Sequence, residues 1–168
     1  MLKRYCKTSW DSSVILGYDR RRLEIILNQI GIIHSPYKKR SDAPRQGRLK
    51  DNVFKIEVFK EYEQGLKDVE TATHLIVLYW CDKADRSVLQ TNTPFDTTPH
   101  GVFATRSPQR PNPIAFNIAD VIERRGNILV VKGMDALDGS PLLDIKPYSS
   151  EVDCILDAKL GWRMREDK

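Results

Sequence analysis

The run Leu75-Ile76-Val77-Leu78-Tyr79-Trp80 sets the scale for what this chain can fold into. It is the longest apolar stretch of note, and it has the length of a buried strand. A membrane span needs about 20 apolar residues. The other apolar signals are equally short. Phe54, Ile56 and Val58 alternate with Lys55 and Glu57, the period-two pattern of a half-buried strand across Val53–Lys60. Ile30-Gly31-Ile32-Ile33-His34 reads as a strand that Ser35-Pro36 ends. Further strands are predicted at His74–Trp80, Gly101–Arg106, Ile114–Ile122, Asn127–Met134 and Leu142–Lys146, with Ile114, Phe116 and Ile118 sharing one face.

Between these runs lie a turn or short helix at Gly65–Thr71 and a long polar loop from Asp82 to His100. Loops of that length in one domain are usually functional or disordered. Helical spacing of Leu23, Ile26, Leu27 and Ile30 predicts a short helix over Tyr18–Gln29, although Arg20, Arg21 and Arg22 oppose its dipole. Cys154–Lys168 has a weak helical pattern or forms a tail. Many short strands separated by turn signals predict a mainly β, single-domain barrel or sandwich. Short helices are expected in the N-terminal extension and the connections.

With 168 residues, 40% of them hydrophobic, the chain fits one domain with a real core. No signal-peptide pattern follows Lys3, Arg4 and Lys7, which points to a cytoplasmic protein without membrane contact. Cys6, Cys81 and Cys154 form no metal-ligand spacing, and His34, His74 and His100 are widely separated, so no metal is expected. The net charge of +4 says little by itself. Its distribution says more: Lys38, Lys39, Arg40, Arg45, Arg48 and Lys50 crowd one loop against the single acid Asp42. Such a loop either neutralises phosphates or is simply a solvated, mobile surface.

Unusual residues gather in three loops: Asp42–Gly47, Gly101–Ile114 and Asp135–Tyr148. In the second, Pro108, Pro111 and Pro113 stiffen the backbone, so Arg106, Arg110 and Asn112 are held in defined directions. That stiffness suits a preorganised anion or base site, and equally a rigid connection whose arginines face water. In the third, Asp135 and Asp138 flank a tight turn. They read as paired carboxylates, as acceptors for turn amides, or as anchors for ligand hydroxyls and amines. No GxGxxG fingerprint, phosphate loop or GxSxG elbow occurs, which argues against a Rossmann-type cofactor site.

These segments carry a resemblance. Ile30–Tyr37, Pro44-Arg45-Gln46, the run Gly101–Ile114 and Leu137–Tyr148 together resemble the TsaA/TrmO family over about Gln29–Ser150. The resemblance implies a β-barrel methyltransferase that uses S-adenosylmethionine and acts as a homodimer with its cofactor near the subunit interface. The implied substrate is threonylcarbamoyladenosine beside the anticodon of a transfer RNA, methylated on N6. It divides the chain into an N-terminal extension (1–28), the barrel (29–150) and a C-terminal tail (151–168). Some bacterial members add a C-terminal domain that helps to hold tRNA, and this sequence ends before one. Serine stands at Ser140 where threonine is common.

On this reading Pro44, Arg45, Gln46, Asp82, Lys83, Arg106, Leu137, Asp138, Gly139 and Ser140 contact the cofactor. Arg110, Asn112 and Tyr148 are candidates for the acceptor base, and no residue stands out as the general base. Two alternatives remain open: a non-enzymatic RNA-binding barrel, and a related methyltransferase with a different acceptor.

Overall fold

In the computed structural model, which describes residues 25–95 and 97–163, the alternating runs close into a barrel. Its strands are β1 (Gly31–His34), β2 (Val53–Val58), β3 (His74–Trp80), β6 (Ile114–Arg125), β7 (Ile128–Lys132) and β8 (Ser140–Pro147). They pair in the order β1-β2-β7-β6-β3-β8, every pair antiparallel, and β8 returns to β1. A separate hairpin joins β4 (Gln90–Thr91) to β5 (His100–Gly101).

Period-two alternation decides what fills the barrel. Ile33, Phe54, Ile56, Val58, Leu75, Val77, Leu129, Val131 and Leu142 turn inward and are buried, while His34, Lys55 and Glu57 turn outward or partly outward. Each such side chain contributes about 1.5–3 kcal/mol on burial. Strand β6 keeps the expected alternation and turns its large residues outward. Ile114 and Phe116 do share a face, but it is the outer one, where they are 41% and 42% exposed. Ala119 is fully buried on the inner face, and the partly buried Ala115 and Val121 pack on the core beside it. A narrow barrel already holding Phe54 has room only for small residues there.

Several expectations are revised. Gly101–Arg106 is not one strand: pairing stops at Gly101, and Val102–Ala104 forms a 3-10 turn. The loop Asp82–His100 contains β4, so it is one arm of a hairpin. The turn expected at Gly65–Thr71 begins earlier, as 3-10 turns at Lys60–Leu66 and Val69–Thr71. Strand β6 runs on past Ile122 to Arg125. After the barrel come a short α1 (Ser150–Asp153) and a 3-10 turn at Gly161–Arg163. The helix expected over Tyr18–Gln29 lies largely outside the described residues, and residues 25–29 are not helical.

Two glycines place loops that matter below. Gly139 has φ +80°, the left-handed region, and its N–H reaches the Ile33 carbonyl at 2.9 Å. This ties the β7–β8 connection to β1. Gly47 lies so close to the backbone at Gly133 that an added Cβ would stand 2.1 Å from the Gly133 carbonyl oxygen. The segment holding Arg45 and Gln46 is thereby pressed against the barrel.

Candidate functional site

A cavity of about 260 Å³ opens at the end of the barrel where β3 finishes and β6 begins. Four stretches of chain wall it. The basic loop supplies Arg40, Arg45 and Gln46; the end of β3 supplies Tyr79, Cys81, Asp82 and Lys83. The proline-stiffened loop and the start of β6 supply Thr105–Arg110 and Ile114–Asn117, and the β7–β8 connection supplies Asp135, Ala136, Leu137 and Ser140. Basic side chains outnumber acids in this lining, so the cavity favours an anionic group.

Most residues singled out from the sequence meet here: Arg45, Gln46, Asp82, Lys83, Arg106, Arg110, Leu137 and Ser140 all line the cavity. Pro44, Asn112, Asp138, Gly139 and Tyr148 do not. Tyr148 lies at the opposite end of the barrel, its N–H on the His74 carbonyl at 3.1 Å and its ring against the His74 ring. Asn112 is exposed just before β6.

Asp138 is a structural clamp. Its Oδ1 accepts the Ser35 N–H at 2.9 Å and its Oδ2 the Lys38 ammonium at 2.6 Å. Lys38 foremost, then the Ser35 amide, holds its carboxyl below the ordinary value. Of the readings open for this turn, Asp138 follows the one in which a carboxylate bonds backbone amides. Ser35 completes the clamp by donating its hydroxyl to the Ala136 carbonyl at 2.7 Å.

Arg110 has its guanidinium engaged by the loop itself. It donates to the carbonyls of Ser107 (2.8 Å), Val102 (2.7 Å) and Thr105 (2.6 Å). These charge-assisted bonds fold the segment 102–110 around one side chain. Arg106 instead stays exposed at the cavity, with one bond to the Phe116 carbonyl at 3.1 Å and its guanidinium 5.6 Å from the centre of the Phe116 ring.

The basic loop is largely paired rather than free. Lys38 meets Asp138, Arg48 meets Asp120 at 3.2 Å, and Lys50 lies over the Tyr37 ring, while Arg40 and Arg45 line the cavity.

Sequence reasoning named Asp135 but passed over its partners in the cavity wall, Tyr79 and Asn117. Tyr79 donates its hydroxyl to Asp135 Oδ1 at 2.7 Å, and Asn117 Oδ1 accepts the Asp135 N–H at 3.3 Å. Burial first, and Asp135 second, pushes the Tyr79 hydroxyl far above its ordinary value. Burial likewise pushes the Cys81 thiol up to about 11, with Asp135 adding to the rise and Arg40 opposing it. Cys81 is therefore a neutral thiol at physiological pH. The available signal was Asn117, a polar residue on the inner face of a strand beside Ala115 and Ala119. Among the described residues no group of three or more His, Cys, Asp or Glu is placed to hold a metal ion, and no helix is long and apolar enough to cross a membrane.

Known proteins share this barrel. A probable S-adenosyl-L-methionine-binding protein of Archaeoglobus fulgidus is 58% identical over 136 residues, covering 81% of this chain and 37% of that protein. An S-adenosyl-L-methionine-binding protein of the same organism is 51% identical, covering 78% of this chain and 94% of that protein. The chain thus spans about a third of the first relative and nearly all of the second. The Escherichia coli tRNA (adenine(37)-N6)-methyltransferase is 32% identical, covering 80% of this chain and 62% of the enzyme. The crystal structure of TrmO from Pseudomonas aeruginosa superimposes with a TM-score of 0.69 at 30% identity, covering 83% of this chain and 62% of that one. The family described as tRNA-methyltransferase O N-terminal domain matches residues 32–154, from β1 through the barrel to just past α1. By fold, by relatives and by that match, the chain belongs to the tRNA-methyltransferase O N-terminal domain family.

Proposed function

We propose that this chain binds S-adenosylmethionine in the cavity and methylates N6 of threonylcarbamoyladenosine in tRNA. The observation that carries the reading is convergence: Arg45, Gln46, Asp82, Lys83, Arg106, Leu137 and Ser140, far apart in sequence, line one cavity in a member of this family. Relatives named for S-adenosyl-L-methionine binding and for tRNA adenine-N6 methylation support it.

The lining fits the cofactor's chemistry. Arg45, Lys83 and Arg106 suit a carboxylate, Asp82 an ammonium group, and Ala136, Leu137 and Phe116 the face of an adenine. Asp138 and Gly139 act behind this wall by fixing the connection that carries Leu137 and Ser140. When bound, the cofactor supplies an electrophilic methyl group on a positively charged sulfur. The protein's part is alignment and exclusion of water. Arg110 holds segment 102–110 in place, and Gly47 lets Arg45 and Gln46 close over the barrel end. At about 260 Å³ the cavity is just below the usual ligand-site range of about 300–1,000 Å³.

The acting body is residues 29–150, working in the cytoplasm as a homodimer. Support for a dimer comes from the outward apolar residues Ile114, Phe116 and Phe103 near the cavity, the last 80% exposed. A second reading, a methyltransferase with another acceptor, is favoured by the archaeal relatives, whose names specify the cofactor alone. Mass spectrometry of nucleosides from cells lacking the protein tests the substrate. Loss of N6-methylated threonylcarbamoyladenosine is the expected result, and an unchanged nucleoside profile rejects it. Calorimetry with S-adenosylmethionine plus a chelator separates either enzyme from a plain RNA-binding barrel, which would give no heat.

A further inference from the structure

Methyl transfer to this acceptor needs a destination for a proton. A nitrogen that carries both an adenine ring and a carbonyl group shares its lone pair with each, so it attacks well only as its N–H proton leaves. Four side chains with acidic protons line the cavity: Tyr79, Cys81, Asp82 and Asp135. Tyr79 and Cys81 hold their protons at neutral pH, because burial raises both. Asp82 is an exposed residue at the rim, where water competes for its oxygens. Asp135 is half-buried at the inner wall. Its Oδ1 is fixed by the Tyr79 hydroxyl at 2.7 Å and its backbone N–H by Asn117. Among the described residues no donor reaches its Oδ2.

We infer that Asp135 is the proton acceptor of the methyl-transfer reaction, with Tyr79 as the residue that positions it. The inference rests on the methyltransferase reading above. The acceptor N–H bond breaks, and the proton forms an O–H bond on Asp135 Oδ2. The nitrogen's electron pair forms the N–CH₃ bond. The C–S bond breaks with its pair left on sulfur, which passes from cationic sulfonium to neutral thioether. One negative and one positive charge disappear together. The proton passes to water after product release.

The test uses the purified full chain, S-adenosylmethionine and tRNA bearing threonylcarbamoyladenosine. Asp135→Asn keeps the shape and the Tyr79 contact but removes the basic oxygen. It is expected to lower kcat by about 10²–10⁴-fold. Cofactor affinity by calorimetry and tRNA affinity by filter binding should stay within about threefold. Tyr79→Phe should lower kcat by a smaller factor and leave KM for the cofactor unchanged. If Asp135→Asn does not fold, Asp135→Glu carries the test: it displaces the carboxylate by one methylene and should lose kcat while keeping cofactor affinity. An Asp135→Asn enzyme with wild-type kcat overturns the inference alone. So does a loss of cofactor affinity that accounts for the whole loss in kcat/KM, which would make Asp135 a binding group. Wild-type protein that binds the cofactor but never methylates tRNA overturns the tRNA reading, and this inference with it.

Discussion

Arg110 offers the sharpest test of how the cavity is built. Arg110→Ala removes the donor to the carbonyls of Val102, Thr105 and Ser107 at one stroke. A hydrogen bond to a charged group contributes about 1.5–3 kcal/mol. The site is partly buried, so water recovers much of each bond, and about 1 kcal/mol apiece is a fair discount. The sum, about 3 kcal/mol, shifts the balance between ordered and open loop by on the order of 100-fold. Arg110→Lys should recover little, because one ammonium cannot reproduce the planar fork.

The barrel strands do not depend on this side chain, so the effect should be local. Limited proteolysis is expected to cut the variant within 102–110, and calorimetry to show cofactor affinity reduced roughly 10- to 100-fold, with the far-UV spectrum preserved. A variant with wild-type cofactor affinity and wild-type protease resistance would refute the reasoning. It would mean that Pro108, Pro111 and Pro113 alone hold the loop.

Other outcomes follow from the same geometry. Gly47→Ala puts a Cβ 2.1 Å from the Gly133 carbonyl oxygen, and backbone cannot step aside as a side chain can. A cost near 3 kcal/mol should lower Tm by roughly 10 °C and weaken cofactor binding; an unchanged Tm would contradict the close approach. Asp138 has its carboxyl held below the ordinary 3.8, so its contribution is complete above that value and lost as pH falls through the depressed one. Asp138→Asn has no such contribution to lose, so the stability gap between it and wild type in urea unfolding should shrink from pH 7 to about pH 3. A constant gap would argue against the Lys38 contact. Arg106→Ala should weaken S-adenosylmethionine binding more than Lys39→Ala, since Arg106 lines the cavity and Lys39 is an exposed residue outside its lining. Equal affinities would remove Arg106 from the site.

The sequence foretold the barrel where alternation is local. The pattern of Phe54, Ile56 and Val58 against Lys55 and Glu57 reads directly as inner and outer faces. At β6 it grouped Ile114 with Phe116 correctly but left open which face turns inward; the large apolar residues point outward and small ones point in. Alternation fixes which residues share a face, but the space left by Phe54 and its neighbours decides which face turns inward. His100–Gly101 was legible only as part of a longer strand, because its pairing with Gln90–Thr91 is not written in its own composition.

Of the residues that line the cavity, Arg45, Arg106 and Ser140 were legible from loop chemistry and family resemblance. Arg110 was legible as fixed, but its fixing groups are the carbonyls of its own loop. Tyr79 hid inside a strand that read as plain core, and Asp135 was grouped with Asp138, its neighbour in sequence. In space Asp135 belongs with Tyr79 and Asn117, and Asp138 with Ser35 and Lys38.

Closure of the barrel has a consequence for synthesis. The ring is sealed where Gly31 pairs with Leu142, so the earliest strand waits for the last before its hydrogen bonds are complete. The β7–β8 connection carries Asp135, Leu137 and Ser140, and it is stitched to β1 by the Gly139–Ile33 and Asp138–Tyr37 backbone bonds. A nascent chain still lacking β8 on the ribosome therefore holds neither a sealed ring nor a finished cavity. Contacts this distant in sequence form late and slowly. Folding and completion of the cavity are then a single event, and an interrupted translation product carries no partial cavity.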